Sequence, residues 1–114
     1  MTYQMTLCPA PFQSIAEGKK TIELRLLDER RKPIRVGDLI CFTLEGHPEQ
    51  TLLVRVVKLH IFPSFDQLYQ TLPLTLCGYA EEEVAQASPK DMDQYYSREK
   101  QSQFQALGIE FSLL

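Results

Sequence analysis

The stretch Gly18-Lys19-Lys20-Thr21-Ile22-Glu23-Leu24-Arg25 decides how this chain is read. Before it, Phe12, Ile15 and Ala16 share one helical face, with Pro11 placed to open the helix because a first turn tolerates its missing N–H. Gly18 is placed to stop that helix in the left-handed conformation. After it the period changes to two: Ile22, Leu24 and Leu26 alternate with Thr21, Glu23 and Arg25, the pattern of a half-buried strand. Charges packed this closely form either a solvated strand edge or the floor of a polar site.

Working outward, residues 2–8 read as a first strand. Gly37 supplies a tight turn at Arg35-Val36-Gly37-Asp38, and Leu39 to Thr43 follows as a strand. Glu45-Gly46-His47-Pro48 is a second turn, and 50–61 is a long strand rich in Leu and Val. Phe65, Leu68 and Tyr69 have helical spacing. Ala80 to Gln86 reads as a helix with acidic residues at its start, and Ser88-Pro89-Lys90-Asp91 as an N-cap with an acidic residue three on. Ser97 is expected to cap a further helical run to Leu107 that Gly108 ends, and Ile109 to Leu113 closes the chain as a strand. Helices do not alternate with strands, so an open α/β sheet is disfavoured. The order predicts an α+β, mainly β fold: a small, closed or nearly closed mixed β-barrel with flanking short helices.

At 114 residues the chain is expected to form a single domain over 1–114. No apolar run approaches the ~18–20 residues of a membrane span. The first residues lack the pattern of a signal peptide, so a cytoplasmic protein is expected. Cys8, Cys41 and Cys77 are odd in number, far apart and outside any Cys-x-x-Cys, which argues for buried reduced thiols and against disulfides or a metal site. The net charge of −3 is unevenly placed: residues 19–35 hold seven cations and three anions. A locally positive face on an acidic chain suits a specific anionic ligand better than coating of a long polymer. Asp28-Glu29-Arg30-Arg31-Lys32-Pro33 is most simply a solvated loop, with a positive rim for phosphates as its alternative. His47 lies in a polar turn, and His60 reads as a satisfied strand-end residue.

Glu23 and Arg25 stand two apart on a strand, so they point the same way and lie ~7 Å apart. Arginine's planar fork matches carboxylate or phosphate. Strict alternation puts Lys20 on the other face, yet it sits at the helix-to-strand junction on a flexible stem and can swing to either side. Tyr95, Tyr96 and Ser97 offer stacking surface and a hydrogen-bond donor, and helical spacing favours a core role for one of the tyrosines. No dinucleotide fingerprint, P-loop or metal spacing is present, so no cofactor is expected.

The form Gly-x-Lys-x-x-Glu-x-Arg, met by Gly18, Lys20, Glu23 and Arg25, resembles the signature of the ASCH domain family of the PUA-like superfamily. The likeness extends through Pro11, Phe12 and Ile15, then Val36-Gly37-Asp38, Phe62-Pro63-Ser64-Phe65, Tyr95-Tyr96-Ser97 and Gly108-Ile109. It implies a PUA-like barrel of about five to six strands with a cleft beside the first helix. It also implies RNA or a nucleotide-like small molecule as partner. The expected ligand-binding set is Gly18, Lys20, Glu23 and Arg25, with Tyr96 and Ser97 as wall residues. Some members are hydrolases, so the alternative is a small amidohydrolase or ribonuclease acting on a modified nucleoside or RNA, with Lys20 and Glu23 as catalytic pair. The amidohydrolase branch carries a threonine nucleophile three residues after its lysine, where this chain has Glu23. A neighbouring carboxylate stabilises a charged lysine, so Lys20 reads as an anion-binding cation rather than a base.

Overall fold

The computed structural model describes residues 1–114. In chain order the elements are β1 (Thr2–Leu7), α1 (Pro9–Ala16), β2 (Ile22–Leu26), β3 (Leu39–Leu44), β4 (His47–Phe62), α2 (Phe65–Thr71), α3 (Arg98–Gln103) and β5 (Ala106–Leu113). Between α2 and α3 the chain forms three 3-10 segments, Leu74–Cys77, Glu81–Gln86 and Pro89–Gln94. The five strands make one mixed sheet in the order β1-β3-β4-β5-β2. Only the β1–β3 pair is parallel. The sheet curls into a half-barrel with β1 and β2 as its edges, the small mainly-β, α+β fold that the sequence predicts.

Two apolar clusters lie on the two faces of this sheet. The concave one joins Met5 and Leu7 of β1, Ile40 and Phe42 of β3, Val54 and Val56 of β4, and Leu107, Ile109 and Phe111 of β5. Phe12 and Ile15 of α1 and Ile34 from the loop before β3 complete it. The convex cluster joins Ile22, Leu24 and Leu26 of β2 to Phe65, Leu68 and Leu72 of α2 and its following turn, with Cys77 and Met92 from the 3-10 segments.

Directly opposed residues on antiparallel strands share a face. Glu23 lies opposite Ile109 and Arg25 opposite Leu107, so both motif charges point into the concave side of the curl. The remaining apolar residues of β2 face the convex cluster. This strand is therefore buried on both faces, not half-buried as its alternation predicts.

Three local expectations are corrected. The first helix begins at Pro9, not Pro11; Pro9 occupies the tolerated first position and Cys8 is the N-cap. Residues 81–86 and 89–94 form 3-10 turns rather than α-helices. The run capped by Ser97 ends at Gln103, and Gly108 lies inside β5 rather than at a helix end. A Cβ at Gly108 would stand 2.8 Å from Leu72 Cδ1 and 3.3 Å from Ile22 Cγ2, so any side chain there must displace Leu72 where α2 closes on the sheet.

Gly108→Ala is expected to lower unfolding free energy by ~1–3 kcal/mol in urea titrations, since Leu72 and the sheet must part to admit the methyl. An unchanged midpoint would contradict this packing.

Candidate functional site

The C-terminal end of α1 places Lys20. Gly18 has φ +77°, the Lys19 N–H donates to the Ser14 carbonyl at 3.0 Å, and the Gly18 N–H to the Ile15 carbonyl at 3.0 Å. This is the paired bonding of a Schellman terminus, in which glycine takes the left-handed position. The Lys20 N–H also donates to the Ser14 carbonyl, at 3.1 Å, and the Thr21 N–H donates to the Leu76 carbonyl at 2.9 Å. Lys20 thus precedes the regular pleat of β2 and escapes its alternation. Its side chain runs across Gly78, where an added Cβ would meet Lys20 Cδ at 3.3 Å. Gly78 has φ +110°, so both backbone and space demand glycine there.

Lys20 Nζ reaches Glu23 Oε1 at 2.7 Å. Arg25 places Nη2 at 2.7 Å and Nε at 2.8 Å from Glu23 Oε2. Each carboxylate oxygen is therefore engaged by a different cation, and the three groups carry a net charge of +1. Lys20 and Glu23 are buried, at 8% and 5% exposure. Burial pushes the Glu23 carboxyl up, but Lys20 and Arg25 outweigh it and hold it below its ordinary value. Burial likewise opposes charge on Arg25, and the Glu23 carboxylate reverses that and raises its pKa.

This triad lines a cavity of about 430 Å³ between the edge strands, within the ordinary range for small-ligand sites. Cys8 and Pro11 border it at the start of α1, and Tyr95 and Tyr96 at the far end of the last 3-10 segment. Tyr96 stacks on Phe65, with ring centroids 6.4 Å apart. Cys77 also borders the cavity; burial pushes its thiol up to about 11. It stays a neutral thiol at physiological pH and is not an activated nucleophile. The three cysteines are free, but only Cys77 is buried; Cys41 is half-buried and Cys8 exposed, which corrects the expectation of three buried thiols.

Of the six ligand residues expected from sequence, Lys20, Glu23, Arg25 and Tyr96 meet at this cavity. Gly18 acts through the backbone at the helix terminus. Ser97 does not line the cavity; its hydroxyl accepts from the Lys100 N–H at 3.1 Å and caps α3. The arginine-rich loop stands apart. Arg31 pairs with Asp28 at 2.8 Å and Lys32 with Glu29 at 3.0 Å, while Arg35 donates to the Lys32 carbonyl. His60 pairs with Glu110 at 2.8 Å on the convex face. No group of three or more His, Cys, Asp or Glu side chains converges to hold a metal.

Sequence reading missed a second polar group in the same cavity. The Tyr79 hydroxyl donates to Asp91 Oδ2 at 2.8 Å and lies 2.7 Å from the Tyr69 hydroxyl. These residues come from α2, the link between the first two 3-10 segments and the third 3-10 segment, and none of their spacings repeats. Only the capping pattern around Ser88 pointed to Asp91, and it pointed to a structural role. That role is real as well, since the Ser88 N–H donates to Asp91 Oδ2 at 3.2 Å.

The sequence model of the ASCH domain matches residues 5–114. Among solved structures, the crystal structure of hypothetical protein PH0355 is similar at 30% identity over all of both chains, with TM-score 0.80. The solution structure of protein PF0455 from Pyrococcus furiosus is also 30% identical, covering 100% of this chain and 98% of that one, with TM-score 0.70. Protein EF3133 from Enterococcus faecalis shares the fold at 16% identity, with TM-score 0.54 over 90% of this chain and 68% of that one. No curated protein matches the chain.

Because Glu23 has a lower pKa folded than unfolded, its contribution to stability is complete above the free carboxylate pKa of ~4.3 and is lost as pH falls through the lower folded value. Glu23→Gln, which leaves the buried Lys20 and the half-buried Arg25 without their carboxylate, is expected to cost ~3–5 kcal/mol at pH 7. The gap from wild type should narrow below about pH 4. A gap that stays constant from pH 7 to pH 3 would contradict the ion-pair account.

Proposed function

The chain belongs to the ASCH domain family, and from that premise we propose that it acts as a single unit over 1–114 that binds RNA or a nucleotide-like anion in the cavity between β1 and β2. The observation that carries this reading is the Lys20–Glu23–Arg25 triad on the cavity wall, with Lys20 and Glu23 buried and Arg25 half-buried. A buried ion pair is weak support for stability, because desolvation offsets most of its attraction. A triad with one more cation than anions is worse in that respect, unless an anion completes it. Glu23 has both oxygens engaged, so the triad presents N–H donors and excess positive charge to the cavity. Tyr95 and Tyr96 add aromatic faces against which a base can stack.

Lys20 and Arg25 are the phosphate or base-edge donors in this reading. Glu23 fixes both of them in place. Gly18 sets the backbone turn that delivers Lys20, and Ser97 orders α3 behind Tyr96 rather than touching the ligand.

Hydrolysis with Lys20 and Glu23 as an acid/base pair has less support. A carboxylate held ionised between two cations is a poor proton donor and a weak base. Each of its oxygens is already occupied, and the thiol beside it is neutral.

The triad alone carries one net positive charge, and Glu83 and Asp91 add carboxylates to the same cavity, so binding of single-stranded RNA should show a shallow salt dependence, with a log–log slope of about −0.7 to −1.4 for one or two phosphates held at the triad. Lys20→Ala should weaken binding of RNA and of nucleoside monophosphates at least about tenfold, as expected for a lost hydrogen bond to a charged group. Arg25→Lys should weaken it too, because an ammonium cannot hold Glu23 through two nitrogens while also facing the ligand. Titration calorimetry of both variants at several salt concentrations checks this. Unchanged affinity in both would overturn the reading.

A further inference from the structure

Counting protons in the cavity's two polar groups gives a result that neither group gives alone. Tyr79 has one hydroxyl proton, and it is committed to Asp91 Oδ2 at 2.8 Å. The 2.7 Å bond between Tyr69 and Tyr79 therefore needs its proton from Tyr69, since Tyr79 has none left to give. The chain runs in one direction, Tyr69 to Tyr79 to Asp91. Both phenols stay protonated: burial raises the pKa of each, and for Tyr79 the two partners raise it further.

What this group offers a ligand is then fixed. Tyr69 and Asp91 have oxygen lone pairs to give and no proton. Glu83, which lines the same part of the cavity, adds a carboxylate. The triad has the opposite character: both oxygens of Glu23 already accept from Lys20 or Arg25, and the other two members carry only N–H donors. One cavity thus holds a donor-rich group on β2 and its approach, and an acceptor-only group on α2, the link after Gly78 and the third 3-10 segment. The hydroxyls of Thr6, Tyr95 and Tyr96 and the amide of Gln94 also line the cavity, can play either part, and belong to neither group.

We propose that Tyr69, Tyr79 and Asp91 determine specificity, selecting nucleotides whose base carries an exocyclic amine over those with a carbonyl at the same position. The proposal rests on the anion-binding reading above. The phosphate or another acceptor lies against Lys20 and Arg25, and the amine donates to the acceptor group. A carbonyl there would set lone pair against lone pair, leaving part-buried acceptors unpaired.

Two matched pairs test this, AMP against IMP and CMP against UMP, titrated by calorimetry into wild-type protein, Tyr79→Phe and Tyr69→Phe. In wild type, the amine member of each pair that binds is expected to be at least about tenfold tighter. In Tyr79→Phe the Tyr69 proton loses its acceptor and turns into the cavity as a donor, so the ratio should fall below about twofold or invert. Tyr69→Phe, which removes the terminal acceptor, should also shrink it and decides the matter if Tyr79→Phe does not fold. Equal or tighter binding of the oxo nucleotides to wild type overturns the specificity proposal and leaves the anion reading standing. A ratio unmoved in both variants overturns the assignment to this chain of hydroxyls. Failure of all four nucleotides to bind overturns the anion reading itself.

Discussion

A carboxylate sits inside the curl of the sheet, opposite Ile109 and against an apolar face, and the rest of the site is arranged around keeping it charged. An ion in that position costs several kcal/mol to desolvate. Glu23 stays ionised because two cations approach it from two directions, Lys20 from the end of a helix and Arg25 from its own strand. The Schellman terminus at Gly18 and the bare backbone at Gly78 bring Lys20 in from outside the pleat.

The half-barrel serves this arrangement by staying open. β1 and β2 are the sheet's edges and do not pair with each other. The cavity occupies the gap, with the triad on one edge and the residues at the end of β1 on the other. The stretch from α2 through the 3-10 segments packs on β2's convex face and then supplies tyrosines and a carboxylate to the same cavity. One strand is thereby buried on both sides while its charged residues remain at the wall of a ligand-sized space.

Much of this was legible in the sequence, for definite reasons. The change of period at Gly18 located α1 and β2, and the one-face spacing of Glu23 and Arg25 placed their head groups together. The loop over residues 28–33 reads as solvated, and Lys32 and Glu29 are indeed exposed, but Arg31 is buried at 9% exposure and paired with Asp28, a contact its charged neighbours in sequence did not reveal. What else failed to show depends on contacts distant in sequence. Gly108 looked like a helix terminator because Leu72 and Ile22, which any side chain there would meet, lie far away along the chain. The side taken by Lys20 was open because it precedes the first residue of β2. The Tyr69–Tyr79–Asp91 chain was invisible, since its members stand 10 and 12 residues apart on elements whose relative placement only the fold supplies.

The most direct test of the central claim is to follow the side-chain nitrogen resonances of the arginines by NMR while AMP or CMP is added. Arg25 Nε–H donates to Glu23 and faces the cavity, whereas Arg30 and Arg55 lie on the exposed surface. A saturable shift of the Arg25 signal, with Arg30 and Arg55 unmoved, is the predicted result. Nucleotide binding that shifts Arg30 or Arg55 and leaves Arg25 untouched would contradict it.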